Sequence, residues 1–276
     1  MKKLTLLVLM TLLCGMGFAE TVKKDYKVSS FTRIDVSGIF KVTLSKGNTC
    51  AVKVEVEQEL IPYLDIKVNN NVLELDFVDG GIPKGLQRKY KDLTVRAQVT
   101  MPMINGLEMS GVTSLRTTDN FLSSSFELDM SGVSNAEFAT LTCTEVSIDL
   151  SGVSNVFADL ETEDFSADIS GSSKATFDFM GKEVTFADVE VSGSCALTLI
   201  GKAIRCDLEV SGAGKFNGEN FEVGTMRADI SGAGKADVRV KSSLQPEVSG
   251  AAKLRYTGGC VIKNLDVSGA ANISSY

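Results

Sequence analysis

Nine times between Glu108 and Gly269 the chain writes an acid, an apolar residue, Ser and Gly. The acids are Glu108, Asp129, Asp149, Asp168, Glu190, Glu209, Asp229, Glu247 and Asp266, and a Met, Leu, Ile or Val follows each of them. Acid out, apolar in, Ser out is the two-residue alternation of a strand with one buried face. The Gly marks a bend, where a missing Cβ permits a sharp turn or a close backbone approach. Five residues after most of these serines an apolar residue returns (Val156, Ala175, Leu197, Phe216, Leu254, Ile273) and starts a second strand. No window sustains the i, i+3, i+4, i+7 stripe of an amphipathic helix. Successive serines lie 21, 20, 19, 22, 19, 20, 18 and 19 residues apart. A fixed period of this size predicts a solenoid, in which no coil buries its apolar face alone and the stack creates the core.

The expected fold is all-β: a parallel β-solenoid of about 20 residues per coil, with two or three short strands per coil and coils about 4.8 Å apart. The usual chirality of such connections predicts a right-handed β-helix. In that stack the acids line up on an outer face. Neighbours about 4.8 Å apart repel by about 0.9 kcal/mol in a water-like dielectric, before salt screens them. Lysines four residues after the Ser (Lys174, Lys215, Lys235, Lys253) relieve the row if the corner folds them back. Asp129, Asp149, Asp168, Glu190, Glu209 and Asp229 are thus candidate binding residues. The alternatives are a cation-binding ladder and a merely solvated charged face.

Residues 20–105 have a different texture and predict a β-rich head that caps the solenoid of residues 106–276. Alternating strands such as "CAVKVEVEQEL" and "LDIKVNNNVLELDF" are divided by the turn residues Lys46-Gly47-Asn48 and Asn69-Asn70-Asn71. The phrase of the array occurs here once, at Asp35 to Gly38, and Gln58 to Asp65 reads as a connector with a short helical turn. "DGGIPKGLQRKYKD", residues 79 to 92, gathers Lys84, Arg88, Lys89 and Lys91. It is a candidate loop for an anionic ligand, against the plainer reading of a solvated excursion. At the other end the sequence stops in mid-coil at Tyr276, and an open strand edge there predicts end-to-end pairing with a second copy.

Composition narrows the function. Residues 1–19 carry Lys2 and Lys3, an apolar stretch from Leu4 to Cys14, and Gly17 and Ala19 before a cut at Glu20, which is the layout of a secretory signal. Lipidation at Cys14 competes with that reading, but Leu13 is large for the position before a lipidated Cys. Removing the signal moves the net charge from −7 to −9, which argues against nucleic acid and anionic lipid as partners. No later segment is apolar for long enough to span a membrane. The five remaining cysteines, Cys50, Cys143, Cys195, Cys206 and Cys260, form no disulfide framework and have no metal-ligand spacing, so burial as small apolar side chains is expected.

"FTRIDVSGIFKVTLSKG", "VKVEVEQELIPYLDIKVNNNVLELDF" and "LTVRAQVTMPMINGLEMSGV", followed by the Ser-Gly array, resemble the secreted family called putative auto-transporter adhesin, head GIN domain. The resemblance runs from about Tyr26 onward. This family, common in the Bacteroidetes group, implies a β-solenoid fold and a periplasmic, outer-membrane or cell-surface location. It brings no catalytic or ligand residues, and no residues follow the array to build the membrane barrel of a self-translocating protein.

Some parallel β-helices are carbohydrate-active enzymes, but this chain has no His, no Trp and only 5 Tyr. It therefore lacks the commonest base near neutral pH and an aromatic platform for sugars. "SGAGKF" lacks the spacing of a phosphate-binding loop. No catalytic residue, metal or cofactor is expected. The favoured reading is an adhesin-like binding module that meets an unidentified protein or glycan, and the alternative is a structural or regulatory envelope scaffold.

Overall fold

The structure is a computed structural model that describes residues 21–90 and 93–276. The predicted signal segment and Lys91 lie outside the described residues. The fold is 65% strand and 5% helix, a parallel β-solenoid of about eight turns with about 20 residues per coil. Ser125–Met130, Glu145–Leu150 and Asp164–Ile169 share one burial pattern, in which every second residue is buried. Register is exact to the residue: Met130, Leu150, Ile169, Val191, Val210, Ile230 and Val248 stack rung upon rung as one apolar column. Phenylalanines fill the interior, with Phe165 edge-on to Phe177 and Phe179 at 5.3 and 5.2 Å between ring centroids.

The Ser-Gly corner explains the repetition. Gly152 has φ +67°, and a Cβ there would lie 2.5 Å from the Gly132 carbonyl oxygen of the rung below. Both conditions exclude other residues. The backbone closes the corner with bonds along the stack: Ser151 N–H donates to the Met130 carbonyl and Val153 N–H to that of Gly132, each at 2.8 Å. The Ser151 hydroxyl adds a bond to the Met130 carbonyl at 3.3 Å.

The stack reaches back to Arg33, and its first rungs are out of chain order. The strands here are β1 (Thr21–Tyr26), β2 (Arg33–Val36), β3 (Phe40–Lys46), β4 (Ala51–Glu57), β5 (Leu64–Asn69), β6 (Val72–Phe77), β7 (Val95–Met101), β8 (Gly106–Met109) and β9 (Val112–Arg116). β2 lies between β6 and β8, and β3 between β7 and β9, all parallel. The chain thus lays one rung, leaves at Lys46, builds the rung beneath it from β6 and β7, and returns at β8. Antiparallel strands then close the end: β5 on β6, β4 on β7 and β1 on β4. The edge strand β1 carries exposed Lys23 and Lys24, which discourage further pairing. A 3-10 turn at Gln58–Tyr63 drives Leu60 into the core.

Candidate functional site

Two outer faces meet at the Ser-Gly corner, and each carries a row of charge. On the first face the row runs Glu74, Asp35, Glu108, Asp129, Asp149, Asp168, Glu190, Glu209, Asp229, Glu247, Asp266, one carboxylate per rung. Most are exposed, and Glu74, Asp35 and Asp229 are half-buried. Among the described residues only two of the eleven form ion pairs, Glu74 with Lys67 at 3.3 Å and Glu247 with Arg227 at 3.5 Å.

Burial and neighbouring like charge together perturb part of the row. Burial, then Glu108, Asp76 and Glu74, raise Asp35 from 3.8 to about 6, although a hydrogen bond with Ser37 opposes the shift. Burial, with Asp149, Glu108 and Glu127 behind it, raises Asp129. Burial and Asp168 raise Asp149. For Glu190 the neighbouring Asp168 is the main cause, ahead of burial, Glu209 and Asp188.

The predicted relief by lysines does not occur. Among the described residues Lys174, Lys215, Lys235 and Lys253 make no ion pair within 4.0 Å with the row. The corner turns them onto the second face, where Lys215, Lys235 and Lys253 occupy successive rungs as a row of their own. In the other direction that row runs through Ala196, Lys174, Asn155, Asn135 and Ser114 to Lys41, Arg96, Glu55 and Lys23. At its far end Lys23, Lys41, Lys53, Arg96, Glu55, Thr43, Ala97 and Gln98 line a depression of about 250 Å³.

The basic loop folds differently from its sequence reading. Lys84–Lys89 form a short helix α1, with the Gln87 side-chain amide donating to the Ile82 carbonyl at 2.7 Å. Lys84 and Arg88 are exposed. Lys89 instead grips Glu59, its Nζ lying 2.7 and 2.8 Å from the two carboxylate oxygens. Between this helix and the first corner lies a cleft of about 490 Å³ lined by residues that include Ile39, Phe77, Ile82, Tyr90 and Leu93. No ion pair joins the described loop cations to the carboxylate row.

Of the cysteines, Cys143, Cys195 and Cys206 are buried and Cys50 and Cys260 half-buried, all five as free thiols. Burial pushes Cys143 up to about 11. Among the described residues no three His, Cys, Asp or Glu side chains converge on a metal-sized site.

The basic row escaped the sequence reading because three of its members come from strands laid out of order. One signal was present: Lys41 stands four residues after Ser37, as Lys174 stands four after Ser170.

This architecture, a parallel solenoid with charge rows on flat faces, defines the class of the protein. Residues 30–180 and 159–260 match the family described as "putative auto-transporter adhesin, head GIN domain". The chain belongs to that family, whose adhesin name points to an extracellular or envelope protein. A putative adhesin of Parabacteroides merdae has a similar fold, with a TM-score of 0.68 at 14% identity over 93% of this chain and 96% of that one. A putative adhesin of Parabacteroides distasonis gives 0.66 at 17% over 94% and 98%. A putative lipid binding protein of the same species gives 0.60 at 16% over 93% and 96%. No curated protein matches.

Proposed function

We propose that this protein is an exported, non-catalytic binding module of the cell envelope, which meets a protein or glycan partner along its flat solenoid faces. The observation that carries this reading is the carboxylate row. Carboxylates held in register repel one another, and this repulsion adds to burial in raising Asp35, Asp129 and Asp149 and outweighs it at Glu190. Departures from local stability concentrate where a surface serves something other than folding. A rigid face with one carboxylate per rung suits an extended cationic partner, because each added contact repeats the last.

Family membership supports a binding role. The neighbour described as lipid-binding supports the fold alone at its level of identity. Among the described residues no helix is long and apolar enough to cross a membrane.

The test has two arms. Protease added to intact cells should cleave the protein if it stands on the outer surface. The purified chain should retain a defined ligand on a protein and glycan array, and Asp149→Asn, Asp168→Asn and Glu190→Gln together should abolish retention of a cationic one. A protein protected from protease and silent on every array would leave only a scaffold.

A further inference from the structure

We propose that the depression on the outer face of β3, β7, β4 and β1 binds the anionic group of an acidic saccharide, a uronate or a sulfated sugar. It rests on the binding-module reading but uses the opposite charge on a different face. Four cations and one carboxylate line the depression, and a second carboxylate, Asp25, reaches one of the cations from outside it, in a chain whose net charge is −7.

Strand pairing fixes the arrangement. Lys41 and Arg96 stand side by side across β3 and β7, and Arg96 faces Glu55 across β7 and β4. Among the described residues neither Lys41 nor Arg96 makes an ion pair within 4.0 Å. Lys23 reaches Glu55 and Lys53 reaches Asp25, each at 3.4 Å. Such exposed single-contact pairs are worth little and yield readily to a better anion. Arg96 therefore presents a free planar fork suited to a carboxylate or sulfate, with Lys41 and Lys53 as point charges beside it. Thr43 and Gln98 lie opposite each other in the next row and supply neutral hydrogen-bonding groups for hydroxyls.

The surroundings select a sugar chain over a lipid surface. Beyond Lys41 the row continues through Ser114, Asn135 and Asn155, one polar side chain per rung. Their spacing of about 4.8 Å is close to the length of one sugar in an extended chain. An anionic group seated on Arg96 thus places the following hydroxyls over a hydroxyl and two amides. Phe157, 47% exposed beside Asn155, adds an apolar face for a ring. A bilayer of anionic lipid is a poor occupant, because its negative surface would repel the carboxylate face around the corner.

The experiment is titration of the full chain with oligogalacturonate and with a sulfated glycosaminoglycan oligomer, beside a neutral oligosaccharide, at low and physiological salt. At least one acidic oligomer should bind, more weakly as salt rises, and the neutral one should not. Arg96→Gln should weaken binding about tenfold or more, as loss of a charge-assisted bond predicts. Arg96→Lys should fall between, because it keeps charge and loses the fork, and Lys253→Gln should change nothing. All these side chains are exposed, so thermal midpoints should match the parent and separate lost binding from lost folding. The proposal is overturned if neither acidic oligomer binds, if Arg96→Gln binds as the parent does, or if vesicles of anionic lipid bind as tightly as the oligomers. Failure here beside array retention through the carboxylate face would remove this site and leave the binding module standing.

Discussion

Replacing Asp35 with Asn probes the carboxylate row where it is most perturbed. Asp35 sits between Glu74 and Glu108 in register, half-buried, with a folded pKa of about 6 against its ordinary 3.8. At about 1.4 kcal/mol per pH unit, that difference amounts to about 3 kcal/mol if the group were fully shielded. Half of its surroundings are wet, so screening reduces the figure to about 1.5 kcal/mol. The direction follows from proton counting. Between pH 4 and 6 the unfolded chain has released the Asp35 proton and the folded chain still holds it. Raising the pH through that window therefore favours unfolding, and stability falls. Above about pH 6 both states are ionised and the full penalty is present; below the unfolded value it is gone. Asp129, Asp149 and Glu190 are shifted in the same direction and add to the slope. Glu59, lowered chiefly by its bond with Lys89, pulls the other way at the acid end. Urea unfolding should thus give greater stability near pH 5 than at pH 7.5. Asp35→Asn should add about 1.5 kcal/mol at pH 7.5 and little at pH 4.5, flattening the profile. Equal destabilisation by Asp35→Asn at both pH values, or a parent whose stability climbs steadily from pH 4.5 to 7.5, would refute the reasoning.

The corner and the core give further tests. Gly152→Ala must place a Cβ 2.5 Å from a carbonyl oxygen at φ +67° and should cost about 3 kcal/mol. Gly80→Ala, at φ +89° with nothing within 4 Å, should cost about 1 kcal/mol; equal losses in denaturant unfolding would show that the stack does not constrain the corner. Phe177→Ala opens a cavity beneath Phe165 and should cost about 4 kcal/mol, read as a lowered thermal midpoint. A thiol reagent at pH 8 should label half-buried Cys50 and Cys260 first and leave Cys206 unreacted until the chain unfolds, because burial raises the Cys206 thiol far above its ordinary range.

Much of the array could be read from letters because a parallel stack repeats its environment. Once Asp129 faced out and Met130 in, the matching residue of each Ser-Gly phrase, 18 to 22 positions on, met the same neighbours, and the phrase set the register. The head obeys no such rule. β2 and β3 belong to the stack, but their lower neighbours β6 and β7 arrive after a detour through β4 and β5. Sequence distance therefore says nothing about which residues share a rung there. The lysines were misplaced for a geometric reason. Four residues past the Ser, the positive-φ Gly has already turned the chain onto the next face, so Lys174 and Asp168 belong to different surfaces. The helix at Lys84–Lys89 lacked an apolar stripe of useful length, and its pairing with Glu59 joins residues 30 apart in sequence.

The segregation of charge follows from the same geometry. In an antiparallel sheet a carboxylate can meet a lysine across the ladder, because neighbouring strands run in opposite directions and need not share a sequence. In this parallel stack each residue lies over its own counterpart in the previous coil, so like falls on like. Acids can be relieved only along their own strand or by breaking the repeat, as Arg227 does two residues before Asp229 while it reaches Glu247. A single outward letter, copied through the coils, thus becomes a line of one charge as long as the molecule. On the other side of the corner the repeat is looser: Lys215, Lys235 and Lys253 make a short basic run, and Ala196, Asn155, Asn135 and Ser114 separate it from the cations around Arg96. A substitution on one face leaves the other's field almost untouched beyond a Debye length of about 8 Å. Neutralising the acidic row and neutralising Arg96 should therefore act on different ligands, and each variant set is a control for the other.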